Sequence, residues 1–349
     1  MAFTYKHVIF NVLVLLSIFN TCHTEELKFG FYKNTCPSAE AIVKQETSRI
    51  ISVAPSLAAA FLRMHFHDCF VRTLSRKLYT CLQGCDGSVL LDSTRNNKAE
   101  KDSFPNLSLR GFGSIARVKS TVEKQCPGVV SCADILALLA RDAISDKHGA
   151  FWPVRLGRRD GRVSKSSEVL ANLPAPNFNI SQLKASFASK GFTTKDLVVL
   201  SETLSYLNMH VGAHTIGVSH CSSFSNRLYN FTGKGDSDPA LESNYTAFLM
   251  RRCKRMDVGS LVEMDPRSYK VFDTSYYKAV ANKKGLFTSD SSLLADGETR
   301  AYVTRHAATP DRGLKSFFGD FAKSMVKMSE IGVLTGNRGE IRKTCSFVN

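Results

Sequence analysis

The chain has 349 residues, 43% of them hydrophobic, and a formal net charge of +15. This length supplies enough apolar material for one large or two ordinary domains. The positive charge favours anionic polymers as partners or, more simply, keeps a basic protein soluble. No zinc-finger or RNA-binding motif occurs, so nucleic acid is not a predicted partner.

The N-terminus resembles a secretory signal. An apolar run at 8–19 follows Lys6 and ends in the polar stretch 20–24, and it is too short to span a bilayer. We therefore predict a signal at 1–24 and a secreted mature domain at 25–349. No later apolar stretch is long enough for a membrane span. The predicted partner of the basic surface is then an anionic extracellular matrix.

The remaining periodicity is mainly helical, and clear alternating strand patterns are scarce. No fixed-period repeat and no linker divides the mature chain. The sequence thus predicts a single all-α domain. Its predicted helices, in chain order, lie at 39–51, 55–66, 132–141, 183–187, 195–200, 276–281 and 317–328.

Secretion gives the cysteines and sequons a meaning. Disulfides persist in oxidising compartments, and nine cysteines remain once Cys22 has left with the signal. Nine is odd, so one thiol is surplus. Four sequons, at Asn106, Asn179, Asn230 and Asn244, are candidate glycosylation sites.

The segment from Arg63 to Cys69 carries the strongest chemical signal. Arg63 and His67 stand four residues apart and share a helix face, whereas His65 points elsewhere. A second histidine, His214, could ligate a haem iron and leave the opposite side of the metal open. A helix with His and Arg at its surface is the plainer interpretation. A zinc hydrolase using His65 and His67 is disfavoured, because residues two apart diverge on a helix.

Several motifs in order resemble one family, the class III (secretory plant) haem peroxidases. Any one is weak evidence, but together they span essentially the whole mature chain. The matching stretches are 31–37, 63–70, 84–92, 130–136, 156–161, 212–217, 334–336 and 339–342. The resemblance implies an all-α haem-peroxidase fold with few short strands, and a monomer. It also implies an enzyme that uses hydrogen peroxide to oxidise phenolic small molecules.

The resemblance implies a role for each residue of the haem pocket. His214 would be the axial ligand of a haem b, and Asp290 would accept its other ring proton. His67 would be the base on the peroxide side and Arg63 its charge-stabilising partner. The family pattern assigns the remaining positions as follows: Asn106 orients His67, with Glu100 behind it; Phe66 walls the pocket; and the Pro174 carbonyl holds aromatic reductants. If so, Asn106 is buried and its sequon stays unglycosylated.

Two calcium sites and four disulfides also follow from the family pattern. The implied ligands of the first calcium are Asp68, Val71, Gly84, Asp86 and Ser88, and those of the second are Thr215, Asp265, Ser268, Val271 and Asp273. The implied disulfides are Cys36–Cys126, Cys69–Cys85, Cys132–Cys345 and Cys221–Cys253, which leave Cys81 unpaired. The chain stops at Asn349 without the extension that vacuolar members carry, which favours the apoplast.

Two insertions, at 73–83 and 202–211, depart from the family pattern. The first separates the halves of one calcium site and adds Cys81. The second precedes His214, and if it stayed helical its ten residues would displace that ligand by roughly 15 Å. Misplaced splice boundaries or retained intron sequence would explain both insertions; surface loops in a genuine variant are the alternative. A catalytically impaired variant that only binds wall polymers remains the second functional hypothesis. His210 is a disfavoured alternative ligand.

Overall fold

The computed structural model describes residues 26–71, 84–201, 214–266, 268–308 and 310–349. The predicted signal, both insertions, Cys81 and His210 lie outside the described residues. Within those ranges, no helix combines the length and apolar character needed to cross a membrane.

The described residues confirm the all-α prediction. They contain thirteen α-helices and one antiparallel pair of short strands, β1 (Val218–His220) and β2 (Leu261–Glu263), with Val218 opposite Glu263. The helices are α1 (Ala39–Val53), α2 (Leu57–Phe70), α3 (Phe112–Gln125), α4 (Cys132–Ser145), α5 (Ser166–Asn172), α6 (Ile180–Ala188), α7 (Thr194–Ser201), α8 (Ser225–Tyr229), α9 (Ser243–Arg252), α10 (Ser275–Ala281), α11 (Thr288–Ser292), α12 (Gly297–Ala308) and α13 (Pro310–Met328).

All seven helices predicted from the sequence are present. The helix predicted at 55–66 begins at Leu57 and continues to Phe70, so it carries His67 well inside its last two turns. The helix predicted at 317–328 begins earlier, at Pro310. The six further helices are α3, α5, α8, α9, α11 and α12.

Helix α2 lies at the centre of the larger of two hydrophobic clusters. Every residue of α2 after Leu57 is buried, and the helix packs against α4, which in turn packs against α1. A helix surrounded by protein has no solvent-facing side that needs polar residues. The first half of α2 is accordingly apolar apart from Arg63, and the polar side chains of its second half are buried. The Ser131 hydroxyl caps α4 by accepting a hydrogen bond from the Asp134 amide at 3.0 Å.

Four disulfides join the described cysteines, and they are the four pairs that the family resemblance implies. They link Cys36 with Cys126, Cys69 with Cys85, Cys132 with Cys345 and Cys221 with Cys253. The last pair lies in the second, smaller hydrophobic cluster, together with Phe224, Leu249 and Phe287. This smaller cluster packs beneath His214, because Phe287 contacts the histidine ring.

Candidate active site

Arg63 and His67 lie one turn apart on α2, and both side chains are buried. The Arg63 Nε–H donates a hydrogen bond to Nε2 of His67 at 3.2 Å. A second guanidinium nitrogen, Nη2, donates to the Pro105 carbonyl at 2.9 Å. The guanidinium is therefore held beside the imidazole from two directions.

The other ring nitrogen of His67 faces Asn106. Nδ1 of His67 lies 2.6 Å from Oδ1 of Asn106, and the amide nitrogen of Asn106 donates to the Glu100 carbonyl at 2.9 Å. Because the amide nitrogen is already committed to Glu100, its oxygen faces the histidine and can only accept. Nδ1 must then carry the proton, and Nε2 keeps the lone pair. The family resemblance implies that Glu100 lies behind Asn106, and the contact between them is made by the backbone carbonyl of Glu100.

The charge of Arg63 persists in this buried position. Burial, with a smaller contribution from the positive charge of Arg110, lowers the pKa of the Arg63 guanidinium to about 9. The group is still protonated at neutral pH. At neutral pH a positive charge thus lies next to the unprotonated nitrogen of His67.

Phe66 forms part of the wall beside this pair. Its buried ring lies 5.9 Å from the His67 ring in an edge-on arrangement and 4.1 Å from the ring of Phe70. Aromatic packing of this kind fixes the ring orientation. The structure therefore brings Phe66, Arg63, His67 and Asn106 together, as expected.

His65 takes no part in this group. Its Nε2 bonds the Ser329 hydroxyl at 2.8 Å, and the Ser329 carbonyl accepts a hydrogen bond from Arg158 at 2.9 Å. Burial, followed by the charge of Arg158, lowers the pKa of His65 to about 3, so the ring is neutral. Arg158 in turn forms a buried ion pair with Asp134 at 2.8 Å. The sequence prediction that His65 and His67 diverge is confirmed, and His65 instead anchors the rear of α2.

His214 lies buried in a second group of side chains. Its Nδ1 is 2.6 Å from Oδ1 of Asp290. The same carboxylate accepts a hydrogen bond from the Tyr276 hydroxyl at 2.8 Å and one from the Phe287 amide at 2.8 Å. The Phe287 ring packs 5.0 Å from the imidazole. Three donors thus fix the carboxylate, and the carboxylate fixes the histidine.

The pKa of the Asp290 carboxyl reflects this crowding of donors. Burial raises it, but the charge and hydrogen bond of His214, with the bonds from Phe287 and Tyr276, hold it below its usual value. The carboxylate is therefore ionised and accepts the Nδ1 proton of His214. Such a partner raises the basicity of a ligating histidine.

The remaining nitrogen of His214 fits a metal ligand. Nε2 is buried and has no hydrogen-bond partner among the described residues. A buried polar atom is normally satisfied, and a nitrogen lone pair oriented by an Asp on the opposite side of the ring is the arrangement of an axial haem ligand. The residues present therefore fit the group that the sequence predicts.

The described residues on the two sides of the second insertion lie close together. Ser201, the last described residue before the insertion, lines the same cavity as His214, and Pro174 lines it too. The two described ends therefore lie together rather than the roughly 15 Å apart that ten additional helical residues would give. The role that the family resemblance implies for Pro174, a carbonyl that holds aromatic reductants, stays a prediction.

Buried carboxylates mark the predicted first calcium site. Asp68 accepts hydrogen bonds from the amides of Gly87 at 2.9 Å and Val89 at 3.3 Å, and Asp86 accepts one from Ser88 at 3.0 Å. Burial and then the charge of Asp86 raise the pKa of Asp68 to about 8. Two like charges in one buried place favour a cation. Val71 and Gly84, the other two predicted ligands, lie on either side of the first insertion in the sequence, and both are buried.

Residues predicted to bind the second calcium also contact one another. The Thr215 hydroxyl donates to the Asp273 carbonyl at 2.7 Å, and the Ser268 hydroxyl bonds the Asp273 carboxylate. Burial, then the charges of Asp273 and Glu263, raise the pKa of Asp265 to about 8. Oδ2 of Asp265 is buried without a partner among the described residues. Val271, the fifth predicted ligand, donates its amide to the Ser268 carbonyl at 2.8 Å.

These oxygen sets differ from a transition-metal site. No group of three or more His, Cys, Asp and Glu side chains in the described ranges is arranged to hold a metal. Each predicted calcium site has two or fewer carboxylates and would draw its other ligands from hydroxyl and backbone oxygens, which calcium accepts. The disfavoured zinc site at His65 and His67 likewise gains no third ligand within the described residues.

Sequence reasoning missed three contacts at the site. They are the Pro105 carbonyl on Arg63, the Tyr276 hydroxyl on Asp290 and the Phe287 amide on Asp290. Two of the three involve backbone atoms, which leave no trace in residue type. The Tyr276 hydroxyl could have been found only by noticing that a buried tyrosine needs a polar partner.

Comparisons with known proteins agree with this geometry. The family model described as Peroxidase matches residues 43–309. The chain is 52% identical to Peroxidase 27 of Arabidopsis thaliana over 344 residues, which is 99% of each chain. It is 55% identical to Peroxidase 1 of Oryza sativa subsp. japonica over 329 residues, covering 93% of each chain. Peroxidase 3 of Arabidopsis thaliana is 53% identical over 93% of this chain and 92% of its own.

Proposed function

The chain belongs to the class III plant peroxidases, and on that premise we propose that it reduces hydrogen peroxide at a bound haem b and oxidises phenolic donors. The observation that carries this proposal is a pair of buried histidines whose Nε2 atoms differ in their surroundings. His67 offers an unprotonated Nε2 beside the Arg63 guanidinium, and His214 offers an Nε2 with no partner among the described residues.

His214 would hold the haem iron through Nε2. Bound haem supplies an iron that passes electrons between the donor and the peroxide. Asp290 keeps the Nδ1 proton of His214 and so strengthens Nε2 as a ligand. No Cys-x-x-Cys-His motif occurs, so the haem is bound without thioether links.

His67 would move the proton that the reaction needs. Its Nε2 lone pair takes a proton from one oxygen of hydrogen peroxide and delivers it to the other oxygen, which leaves as water. Asn106 holds the ring in the tautomer that makes this possible. The proton is therefore returned within one turnover, and no external acid is required.

Arg63 would stabilise the negative charge that develops as the O–O bond breaks. Its guanidinium is already oriented by Pro105 and lies beside His67, so little reorganisation is needed during the reaction. Two phenols then each lose one electron and one proton. The balance is one hydrogen peroxide and two phenols giving two waters and two phenoxyl radicals. The Pro174 carbonyl would help to orient the phenol.

Calcium at the two oxygen-rich sites would compensate the buried carboxylates of Asp68, Asp86 and Asp265. We also propose secretion to the apoplast as a monomer, directed by the segment 1–24, with contact to anionic wall polymers through the basic surface. Asn179, Asn230 and Asn244 are exposed and Asn106 is buried. Glycans are therefore expected at the first three positions and not at Asn106.

The test uses the mature chain, residues 25–349, refolded or secreted with haem and calcium. We expect a Soret band, release of the haem into acidified organic solvent, and peroxide-dependent oxidation of guaiacol. A folded protein that takes up no haem would contradict the proposal. The same measurements on a variant lacking residues 202–211 ask whether that segment matters to haem uptake.

A further inference from the structure

A series of aromatic rings leads from His214 to the protein surface. The ring centroid of Tyr276 lies 5.5 Å from that of His214, and the Tyr277 ring lies 5.6 Å from that of Tyr276. The Tyr302 ring follows, 5.6 Å from that of Tyr277. The first two tyrosines belong to α10 and Tyr302 belongs to α12, and these two helices pack against each other. Three tyrosines in successive contact therefore begin at the imidazole of the candidate haem ligand.

His306 provides a second connection between the last two tyrosines. Its ring is stacked on that of Tyr302 at 4.1 Å and lies 5.4 Å from that of Tyr277. Its Nδ1 lies 2.9 Å from the Tyr302 carbonyl, and burial lowers the pKa of the imidazole, which is therefore neutral at pH 7. Tyr277 and Tyr302 are thus joined by one direct ring contact and by one through a neutral imidazole.

The rings on the other side of His214 have a different chemistry. Phe287 lies 5.0 Å from the His214 ring, and the next ring, that of Phe224, lies 6.4 Å further on. A phenol gives up an electron once a base accepts its proton, whereas a phenyl ring has no such proton and is much harder to oxidise. Of the two series of rings that leave His214 within the described residues, only the one through Tyr276 consists of oxidisable side chains.

The Tyr276 hydroxyl has a partner that accepts a further proton poorly. Tyr276 donates to Oδ1 of Asp290 at 2.8 Å, and the same oxygen faces Nδ1 of His214 at 2.6 Å. The pKa of Asp290 is held below its usual value. A proton on this carboxyl would also remove the charge that supports His214 as a ligand. Tyr276 can therefore pass an electron on, but a radical would not persist there.

The Tyr302 hydroxyl has a carboxylate partner outside the candidate active site. It donates to Oδ2 of Asp320 at 3.0 Å, and Oδ1 of Asp320 accepts a hydrogen bond from Lys195 at 2.7 Å. A proton that moves from Tyr302 to Asp320 leaves the contacts of His214 unchanged. The end of the series is therefore the place where an oxidised tyrosine can lose its proton.

Tyr302 is also the tyrosine of the series that lies nearest to solvent. Its side chain lines an open surface cavity of about 330 Å³, together with Lys195 and Arg305. Tyr302 is 9% exposed, whereas Tyr276 and Tyr277 are 1% and 0% exposed. A small reductant in solution can thus reach Tyr302 without entering the cavity beside His214.

We propose that the tyrosine series carries one electron from Tyr302 to the haem site when no donor phenol is bound. Reduction of hydrogen peroxide to two waters takes two electrons, and Tyr302 supplies one of them through Tyr277 and Tyr276. The O–H bond of Tyr302 breaks, the proton passes to Asp320, and a phenoxyl radical remains. A reductant that gives one electron and one proton, such as ascorbate, restores the phenol. The inference rests on the proposed function, because His214 must hold the haem.

The experiment locates the radical directly. The haem- and calcium-loaded enzyme is mixed with hydrogen peroxide without a phenol, in the presence of the spin trap 2-methyl-2-nitrosopropane. The protein is then digested, and mass spectrometry identifies the residue that carries the trap. Electron paramagnetic resonance of samples frozen without the trap records the tyrosyl signal. We expect the trap on Tyr302, and we expect ascorbate added before the trap to abolish it.

Two variants that keep the aromatic ring test the route. Tyr302→Phe should lose the adduct at this position and should be inactivated several-fold faster by excess peroxide without a phenol. Its guaiacol turnover should be unchanged, because a bound phenol supplies the electrons itself. Tyr277→Phe keeps Tyr302 and should lower the adduct there several-fold, since both connections to Tyr302 begin at the Tyr277 ring.

The matched control is Tyr229→Phe. Tyr229 is partly buried, its hydroxyl donates to the Cys253 carbonyl at 2.6 Å, and its ring contacts none of the tyrosine series within the described residues. This variant should keep both the adduct on Tyr302 and the wild-type rate of inactivation by peroxide.

Haem uptake separates failure of this inference from failure of the proposed function. If the enzyme binds haem, its Soret band responds to peroxide and the trap is not found on Tyr302, the inference is overturned and the proposed function stands. An unchanged adduct in Tyr277→Phe would likewise overturn the route. A folded enzyme that takes up no haem would contradict the proposed function, and this inference with it.

Discussion

The two buried histidines hold Nδ1 at the same distance from different partners. His67 faces the amide oxygen of Asn106 at 2.6 Å, and His214 faces the carboxylate of Asp290 at 2.6 Å. Both partners orient the ring and fix the proton on Nδ1. Only the carboxylate adds negative charge, which makes Nε2 of His214 the stronger electron donor. The neutral amide adds no negative charge, so Nε2 of His67 can both take up and release a proton.

The hydrogen bonds that hold Asn106 and Asp290 in place also differ. Asn106 is held by one backbone carbonyl, that of Glu100, whereas Asp290 accepts from Tyr276 and Phe287 as well as from His214. A carboxylate buried in this way needs several donors to stay ionised. The peroxide side is thus built to exchange a proton, and the opposite side is built to keep one in place.

Removing the proton-transferring ring should have the largest effect. We expect His67→Leu to slow the reaction with peroxide by about 10²–10⁴-fold, the usual contribution of a general acid–base group. Stopped-flow absorbance at pH 7 measures the rate. His65→Leu is the matched control, because it removes a buried imidazole from the rear of α2; it should lower the unfolding temperature and keep the rate. A normal rate in His67→Leu would contradict the assignment of His67 as the group that transfers the proton.

Replacing the carboxylate partner of His214 by an amide, the kind of partner that His67 has, should have the next largest effect. Asp290→Asn is expected to lower haem retention or peroxidase activity by about 10–100-fold, since the amide cannot strengthen Nε2. Haem release to apomyoglobin and guaiacol turnover are the measurements. Tyr276→Phe removes one donor to the same carboxylate and keeps the ring, so its effect should be smaller. An Asp290→Asn enzyme with wild-type values would show that the charge is unimportant.

Removing calcium tests whether cations hold the two sides in place. With calcium at 100 times its dissociation constant, chelation should cost about 2.7 kcal/mol of unfolding free energy for each site and lower Tm by about 4 °C for each site. Calorimetry with EGTA measures this, and magnesium should not restore the loss. Asp86→Asn should remove the response of the site beside α2, and Asp265→Asn that of the site beside Thr215. A Tm independent of calcium would contradict both sites.

Giving the His67 side a carboxylate should have the smallest effect and sharpen the comparison most. In Asn106→Asp the negative charge stabilises the protonated ring, so less unprotonated base is present in acid. We expect the acid limb of the peroxide rate profile to move up by about one pH unit, with little change at pH 8. Asn179→Asp, the same exchange at an exposed helix cap, should leave the profile unchanged. A shift to lower pH would contradict the assignment.

Much of the fold was predictable because strong helical periodicity survives in the core helices α1, α2 and α4. The five-residue helices α8 and α11 were not predicted, since elements this short owe their conformation to surrounding contacts rather than to propensity. Helix α3 could have been found, because Ile115, Val118 and Val122 are buried at helical spacing.

The candidate site was predicted residue by residue through the family resemblance, but not its construction. His214 and Asp290 are 76 positions apart, and nothing local in the sequence specifies that they meet. The resemblance identified which side chains belong together. The backbone groups that orient them, such as the Pro105 carbonyl and the Phe287 amide, follow from chain geometry that residue types do not encode.

The disulfides have a consequence for the two segments that interrupt the family pattern. The Cys69–Cys85 bond closes a covalent loop that contains residues 73–83, and the Cys132–Cys345 bond closes a longer loop that contains residues 202–211. A proteolytic cut within either segment would leave its two fragments covalently attached. Such nicked protein would run as one band on a gel without reductant and as two bands with it, so scission there severs the polypeptide without releasing either half.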